Sequence, residues 1–101
     1  MPSKLWQFLI WLGIGRETRI DDSSQLIKLG RDEYKYVEGD RSLVLQIDMG
    51  IGQPSRLLYS STIKGWLPPH QDEKISEEDR QRIAGKIAKF LVSQGESVKV
   101  E

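Results

Sequence analysis

The sequence contains no cysteine, and its acidic and basic residues balance at 15 each. Without cysteine the chain has no disulfide, no thiolate zinc site and no cysteine nucleophile, and it suits a reducing cytosol. The zero net charge provides no overall attraction toward nucleic acid or toward an acidic membrane surface. We therefore expect a cytoplasmic protein without a nucleic-acid partner, and 101 residues fit one folded domain.

Histidine is nearly absent, because His70 is the only one. Asp72 and Glu73 follow it closely, but no second histidine stands at a metal-ligand spacing. A catalytic triad would require the fold to bring Ser60 or Ser61 to this histidine. We expect a solvated histidine in a proline loop, and no catalytic residue, no metal ligand and no cofactor.

The chain also lacks an apolar run long enough to cross a membrane. Its main run, residues 5–15, has about eleven residues, whereas a membrane-spanning helix needs about twenty. An apolar stripe at helical spacing predicts a short helix over residues 4–13. The stripe consists of Leu5, Phe8, Leu9 and Leu12. Three roles stay open for residues 4–14: docking on the protein's own core, a partner or homo-dimer surface, and light membrane contact.

Short segments with apolar residues in strand-like patterns predict a β-sheet. They are residues 25–29, 33–37, 42–48, 56–60 and 97–100. Gly39 predicts a tight hairpin turn between the second and third strands. Ser76 is a good N-cap and Gly95 a natural stop, so we predict a helix that ends at about Ser93. Its apolar stripe is Ile83, Ile87, Phe90 and Leu91.

These elements predict an α+β fold with a small antiparallel β-sheet of four to five strands. One C-terminal amphipathic helix packs on the sheet, and a short N-terminal apolar helix precedes it. We expect residues 1–24 to form the N-terminal apolar helix and a linker. Residues 25–101 are then a single α+β domain.

Two segments have a composition suited to contact with a partner. Residues 66–70 read Trp-Leu-Pro-Pro-His, an extended segment with a tryptophan anchor that we expect to be largely buried. The acids that follow it suit a basic partner, although acids also favour a helix N-terminus without any function. Residues 49–55 form an irregular loop with apolar Met49 and Ile51. Either Ile51 packs back onto the sheet, or the loop contacts a partner.

Tyr34 and Tyr36 lie at i and i+2, on one face of a predicted strand. Aromatic side chains so placed stack bases in some RNA-binding folds. The overall charge is neutral and no RNA-binding signature is present, so we favour packing in the core.

Several segments resemble a known family. They are residues 36–41 (Tyr-Val-Glu-Gly-Asp-Arg), 58–70 (Leu-Tyr-Ser-Ser-Thr-Ile-Lys-Gly-Trp-Leu-Pro-Pro-His) and 75–83, with Phe90, Leu91, Gly95 and Val98. Together they resemble the immunity protein 74 family of bacterial polymorphic toxin systems, from about residue 26 to residue 101. The resemblance implies an antiparallel α+β domain without catalysis, which protects its own cell by binding a toxin and covering the toxin's active site.

We therefore interpret the chain as a non-catalytic protein-binding module that resembles an immunity protein and blocks a cognate bacterial toxin. The alternatives are a small nucleic-acid-binding or enzyme-accessory domain, and a membrane-tethered cytosolic domain of unknown role. The candidate partner-binding residues are Met49, Ile51, Trp66, Pro68, Pro69, His70, Asp72, Glu73, Glu77 and Glu78.

Overall fold

The computed structural model describes residues 17–101, which form a six-stranded sheet and one α-helix. The strands follow one another across the sheet in chain order, β1 to β6. Their bounds are β1 Glu17–Arg19, β2 Ser24–Lys28, β3 Glu33–Glu38, β4 Arg41–Met49, β5 Arg56–Tyr59 and β6 Val98–Val100. Helix α1 is Glu77–Ser93, and a short 3-10 turn covers Ser60–Thr62.

The sheet is larger than predicted and it is mixed. Strand β1 was not foreseen, because Glu-Thr-Arg has no apolar alternation, yet it pairs with β2. Strand β6 pairs parallel to β5, with Leu58 opposite Val100. A parallel pair needs a long crossover connection, and residues 60–97, which contain α1, provide it. The prediction of a purely antiparallel sheet of four to five strands is therefore wrong. The predicted N-terminal helix over residues 4–13 lies outside the described residues.

The core lies between α1 and one face of the sheet. Strand β4 alternates as predicted, so that its three inward side chains are almost completely buried, and neighbouring strands add inward residues of the same face. The sheet contributes Leu26, Tyr34, Tyr36, Leu43, Leu45, Ile47 and Leu58. Because Tyr34 and Tyr36 are 7% and 0% exposed, they pack in the core and are not available to stack bases.

Helix α1 begins where the sequence predicts. The Ser76 hydroxyl accepts a hydrogen bond from the Asp79 amide at 3.0 Å, which satisfies one of the free N–H groups of the first turn. Gly95, just past the last turn, has a φ of +90°, a conformation that glycine adopts without a Cβ penalty. The stripe Ile83, Ile87 and Leu91 is buried, and this stripe fixes which face of the helix meets the sheet.

Shortening a side chain to alanine should change the free energy of unfolding by very different amounts on the buried and exposed faces of α1. Ile87→Ala should lower the free energy of unfolding by about 2–5 kcal/mol, because Ile87 is fully buried and its loss leaves a cavity. Val92→Ala on the same helix should change it by less than about 0.5 kcal/mol, because Val92 is 57% exposed. Urea unfolding of both variants measures the difference. Equal losses would show that α1 does not pack by this face.

Candidate functional site

The candidate partner-binding residues fall into two groups at opposite ends of β4. Met49 ends the strand and Ile51 follows it. The other group lies at the beginning of β4, where the Leu67 amide donates to the Ser42 carbonyl at 2.7 Å and Glu73 pairs with Arg41. Nine strand residues at about 3.4 Å each separate the two groups by roughly 27 Å. The structure therefore contains two candidate surfaces, not one.

The first surface is the β4–β5 loop, residues 49–55. Met49 is 66% exposed, and Ile51 is completely exposed at 101%. Met49 continues the inward-facing row of β4 by one step, but the buried part of that row ends at Ile47. The prediction that Ile51 packs back onto the sheet is wrong, since no part of its side chain is covered. The loop thus presents an apolar tip to solvent.

Internal contacts brace this loop at its base. The Gly50 amide donates to the Ser55 carbonyl at 2.8 Å. A Cβ atom on Gly50 would lie 2.1 Å from the Pro54 carbonyl oxygen, so only glycine fits this close approach. The Ser55 amide donates to Ser97 Oγ at 2.8 Å, and the Ser55 hydroxyl donates to a Glu96 carboxylate oxygen at 2.6 Å. These bonds tie the loop to the chain that leads into β6.

The second surface is the segment between the 3-10 turn and α1 together with the first two residues of that helix, residues 64–78. Trp66 packs against the core but is only half-buried, so it anchors the segment less deeply than predicted. Pro68 and Pro69, joined by a cis peptide bond, are exposed. The His70 amide donates to the Leu67 carbonyl at 3.0 Å. The segment is a series of tight turns held against the start of β4.

His70 is enclosed in this segment, contrary to the expectation of a solvated side chain. Its side chain is 18% exposed, and its Nε2 lies 3.7 Å from an Asp40 carboxylate oxygen in the β3–β4 turn. Its Nδ1 is buried without a hydrogen-bond partner among the described residues. The sequence gives no sign of this contact, because Asp40 is remote from His70 along the chain. Its contact with Asp40 joins the proline segment to the hairpin turn.

Two of the four candidate acids of the second surface, Glu73 and Glu77, already have basic partners within the protein. Glu73 contacts Arg41 at 2.8 Å, and this hydrogen bond holds the pKa of the Glu73 carboxyl below its usual range. Hydrogen bonds from Gln81 and then Arg80 likewise lower the pKa of Glu77. Asp72 and Glu78 are exposed, and in residues 17–101 neither makes an ion pair. Only these two remain to attract a basic partner.

A comparison with protein-family models identifies the family to which this chain belongs. The model for immunity protein 74 matches residues 26–101. The chain belongs to this family. No curated protein and no solved structure matches it. The family match covers both candidate surfaces, and it begins within β2, so β1 and everything before it lie outside the matched region.

Two further observations on this immunity protein 74 family member concern metal binding and membrane-spanning helices. Among residues 17–101, no three His, Cys, Asp or Glu side chains converge as metal ligands. No helix in that part of the chain combines the length and the apolar character needed to span a bilayer.

Sequence reasoning missed a polar cluster beside the core of this family member. Lys86 Nζ lies 3.0 Å from an Asp21 carboxylate oxygen and donates to the Ser24 hydroxyl at 3.0 Å. The buried Tyr36 hydroxyl donates to the same Ser24 hydroxyl at 3.3 Å, and burial raises the pKa of Tyr36. The sequence places residues 21–24 in the expected linker, because Lys86 is far along the chain. The cluster instead attaches α1 to the β1–β2 turn.

The lowered pKa of Asp21 leads us to expect that the folded protein loses stability in acid. Its hydrogen bond with Lys86 holds the pKa of Asp21 well below the usual range in the folded protein. A lowered folded pKa favours the native state fully above the unfolded value of about 3.9, and the benefit disappears as the pH falls toward the folded pKa. Asp21→Asn should therefore be less stable at pH 7 and should lose less stability between about pH 5 and pH 2. Thermal unfolding across this range measures both slopes.

Asp22→Asn is the matched control, since no ion pair involves the Asp22 carboxylate within the described part of the chain. It should reproduce the acid dependence of the natural sequence. If both variants have the same slope, the contact between Asp21 and Lys86 does not stabilise the protein in solution.

Proposed function

We propose that this protein is a non-catalytic, cytoplasmic immunity protein that binds the toxin of a bacterial polymorphic toxin system and blocks it. Its membership of the immunity protein 74 family supports the class of function. The observation that carries the proposal further is the completely exposed Ile51 at the tip of a braced loop. Such a side chain contributes nothing to the core, but it is suited to bind an apolar pocket on a partner.

Burial energetics favour the loop as the anchor of the complex. Covering an isoleucine side chain contributes about 1.5–3 kcal/mol, and a few well-buried side chains dominate the affinity of most interfaces. Met49 adds a flexible apolar side chain, which adapts to irregular partner surfaces. The hydrogen bonds of Gly50 and Ser55 keep the loop ordered, so binding loses less conformational entropy.

The proline segment is the weaker candidate for the anchor. A partner that approached Glu73 or Glu77 would compete with Arg41 and Arg80, which already occupy those carboxylates. Exposed ion pairs of this kind contribute little to affinity. Asp72 and Glu78 then act at the rim of an interface, where they guide encounter with a basic toxin surface.

The test requires the toxin domain encoded next to the gene for this protein. Co-expression should restore growth of cells that produce the toxin domain. Ile51→Asp should weaken binding of the purified toxin domain by roughly 30-fold or more, because an aspartate cannot occupy the apolar pocket without losing its hydration. Isothermal titration calorimetry measures this loss. The melting temperature should not change, because Ile51 makes no contact with the core.

The double variant Asp72→Lys and Glu78→Lys is the matched control at the other end of β4. It should leave the dissociation rate nearly unchanged and should slow association, as expected for rim charges. If this variant abolishes binding while Ile51→Asp binds normally, the anchor is the proline segment and the loop assignment is wrong. If no toxin domain is bound or neutralised, the proposed function itself is wrong.

A further inference from the structure

Strand β6 forms one edge of the sheet. In the part of the chain that the structure describes, β6 pairs with β5 alone and ends the strand order. The Ser97 carbonyl accepts a hydrogen bond from the Arg56 amide at 2.9 Å, and the Glu101 amide donates to the Leu58 carbonyl at 2.8 Å. In a parallel pair, alternate residues of a strand bond to the neighbouring strand. Residues 97, 99 and 101 therefore turn their backbone groups toward β5.

Val98 and Val100 turn their backbone groups the other way, toward the open edge. The N–H and C=O groups of one strand residue point to the same side, and that side alternates along the strand. No backbone group among residues 17–101 pairs with the N–H and C=O groups of these two valines. A row of unpaired groups on an edge strand is a template on which another strand can pair.

The helix-bearing side of this edge is apolar. Lys86 reaches the β1–β2 turn, and Val92, six residues later, lies on the other side of the buried stripe of α1. Val92 therefore lies on the flank of the helix that contacts β6. It is 57% exposed, and Val100 of the strand is 41% exposed. A strand added to β6 would cover both side chains.

The open edge adjoins the proposed toxin anchor. The β4–β5 loop leads directly into Arg56, which lies opposite Val98. The Ser55 amide of the loop donates to Ser97 Oγ at 2.8 Å, and Ser97 is the residue before β6. One partner surface can therefore contact Ile51 and continue along β6.

We propose that β6 accepts an extended segment of the bound toxin as a further strand of the sheet. The segment pairs with the outward N–H and C=O groups of Val98 and Val100, and its apolar side chains cover Val92 and Val100. In strand addition, main-chain hydrogen bonds provide affinity and alternate side chains provide specificity. The inference rests on the proposed function and adds a second contact to it.

A second copy of this chain fits the edge less well than a toxin segment. Two β6 strands paired antiparallel about a two-fold axis satisfy both valines in the register that sets Val98 of one copy opposite Val100 of the other. That register places the two Lys99 side chains directly opposite each other, and like charges so placed destabilise a strand pair. A toxin segment is free to carry another residue opposite Lys99.

Proline at position 100 tests the pairing. Val100→Pro removes the outward N–H but no hydrogen bond to β5, and an edge strand tolerates proline where its N–H faces solvent. We expect cooperative melting to persist. Binding of the toxin domain that the protein neutralises in the co-expression test should weaken roughly tenfold or more. Val100→Thr, which keeps the N–H and a β-branched side chain, should bind at least about fivefold more tightly than the proline variant. Isothermal titration calorimetry measures both affinities.

Amide exchange measured by NMR tests the same pairing in the natural sequence. In the free protein the amides of Val98 and Val100 should exchange fast, whereas the Lys99 amide, which faces β5, should exchange slowly. In the complex with the toxin domain all three should exchange slowly. The Lys99 amide is thus an internal control, and this measurement decides the case even if Val100→Pro does not fold.

Several results would overturn strand addition and leave the proposed function intact. One is fast exchange of the Val98 and Val100 amides in the complex, and another is a folded Val100→Pro variant that binds as tightly as Val100→Thr. Slow exchange of both amides in the free protein would show that the edge is already covered, by a second copy if dilution restores fast exchange. If the toxin domain is neither bound nor neutralised, the proposed function is wrong and strand addition is wrong with it.

Discussion

The burial of one face of β4 is the constraint on which the rest of the structure depends. Leu43, Leu45 and Ile47 are between 0% and 2% exposed, and the strand pairs with β3 on one side and β5 on the other. Because side chains alternate along a strand, a shift of one residue would turn all three into solvent. The register of β4 therefore fixes the positions of its neighbours and of both chain segments at its ends.

The two ends of β4 differ in what they leave exposed. At its start, Glu73 and His70 of the proline segment contact Arg41 and Asp40 of the strand and the preceding turn, so part of that surface is engaged within the protein. At its end, the loop satisfies its backbone internally but leaves Ile51 without any cover. The proline segment thus has contacts with the rest of the fold that the tip of the loop lacks, and this difference is the basis on which we propose the loop as the partner-binding surface.

The parts of the fold that sequence predicts well are those set by neighbouring residues. The alternation of β4 and the N-cap Ser76 are local signals, and both elements formed where they were predicted. The parallel pairing of β6, the enclosure of His70 by Asp40 and the exposure of Ile51 each depend on contacts, or on their absence, between distant segments. The periodicity of apolar residues carries no information on such contacts. The sequence therefore could not show that the candidate partner-binding residues lie on two separate surfaces.

Hydrogen–deuterium exchange of the protein alone and mixed with the toxin domain that the proposed function requires tests the central claim most directly. Our account predicts slower exchange of amides in the β4–β5 loop, including Ile51 and Gly52, when the toxin domain is bound. Exchange of residues 70–73 should change little. Protection confined to the proline segment, with the loop exchanging as in the free protein, would contradict the account.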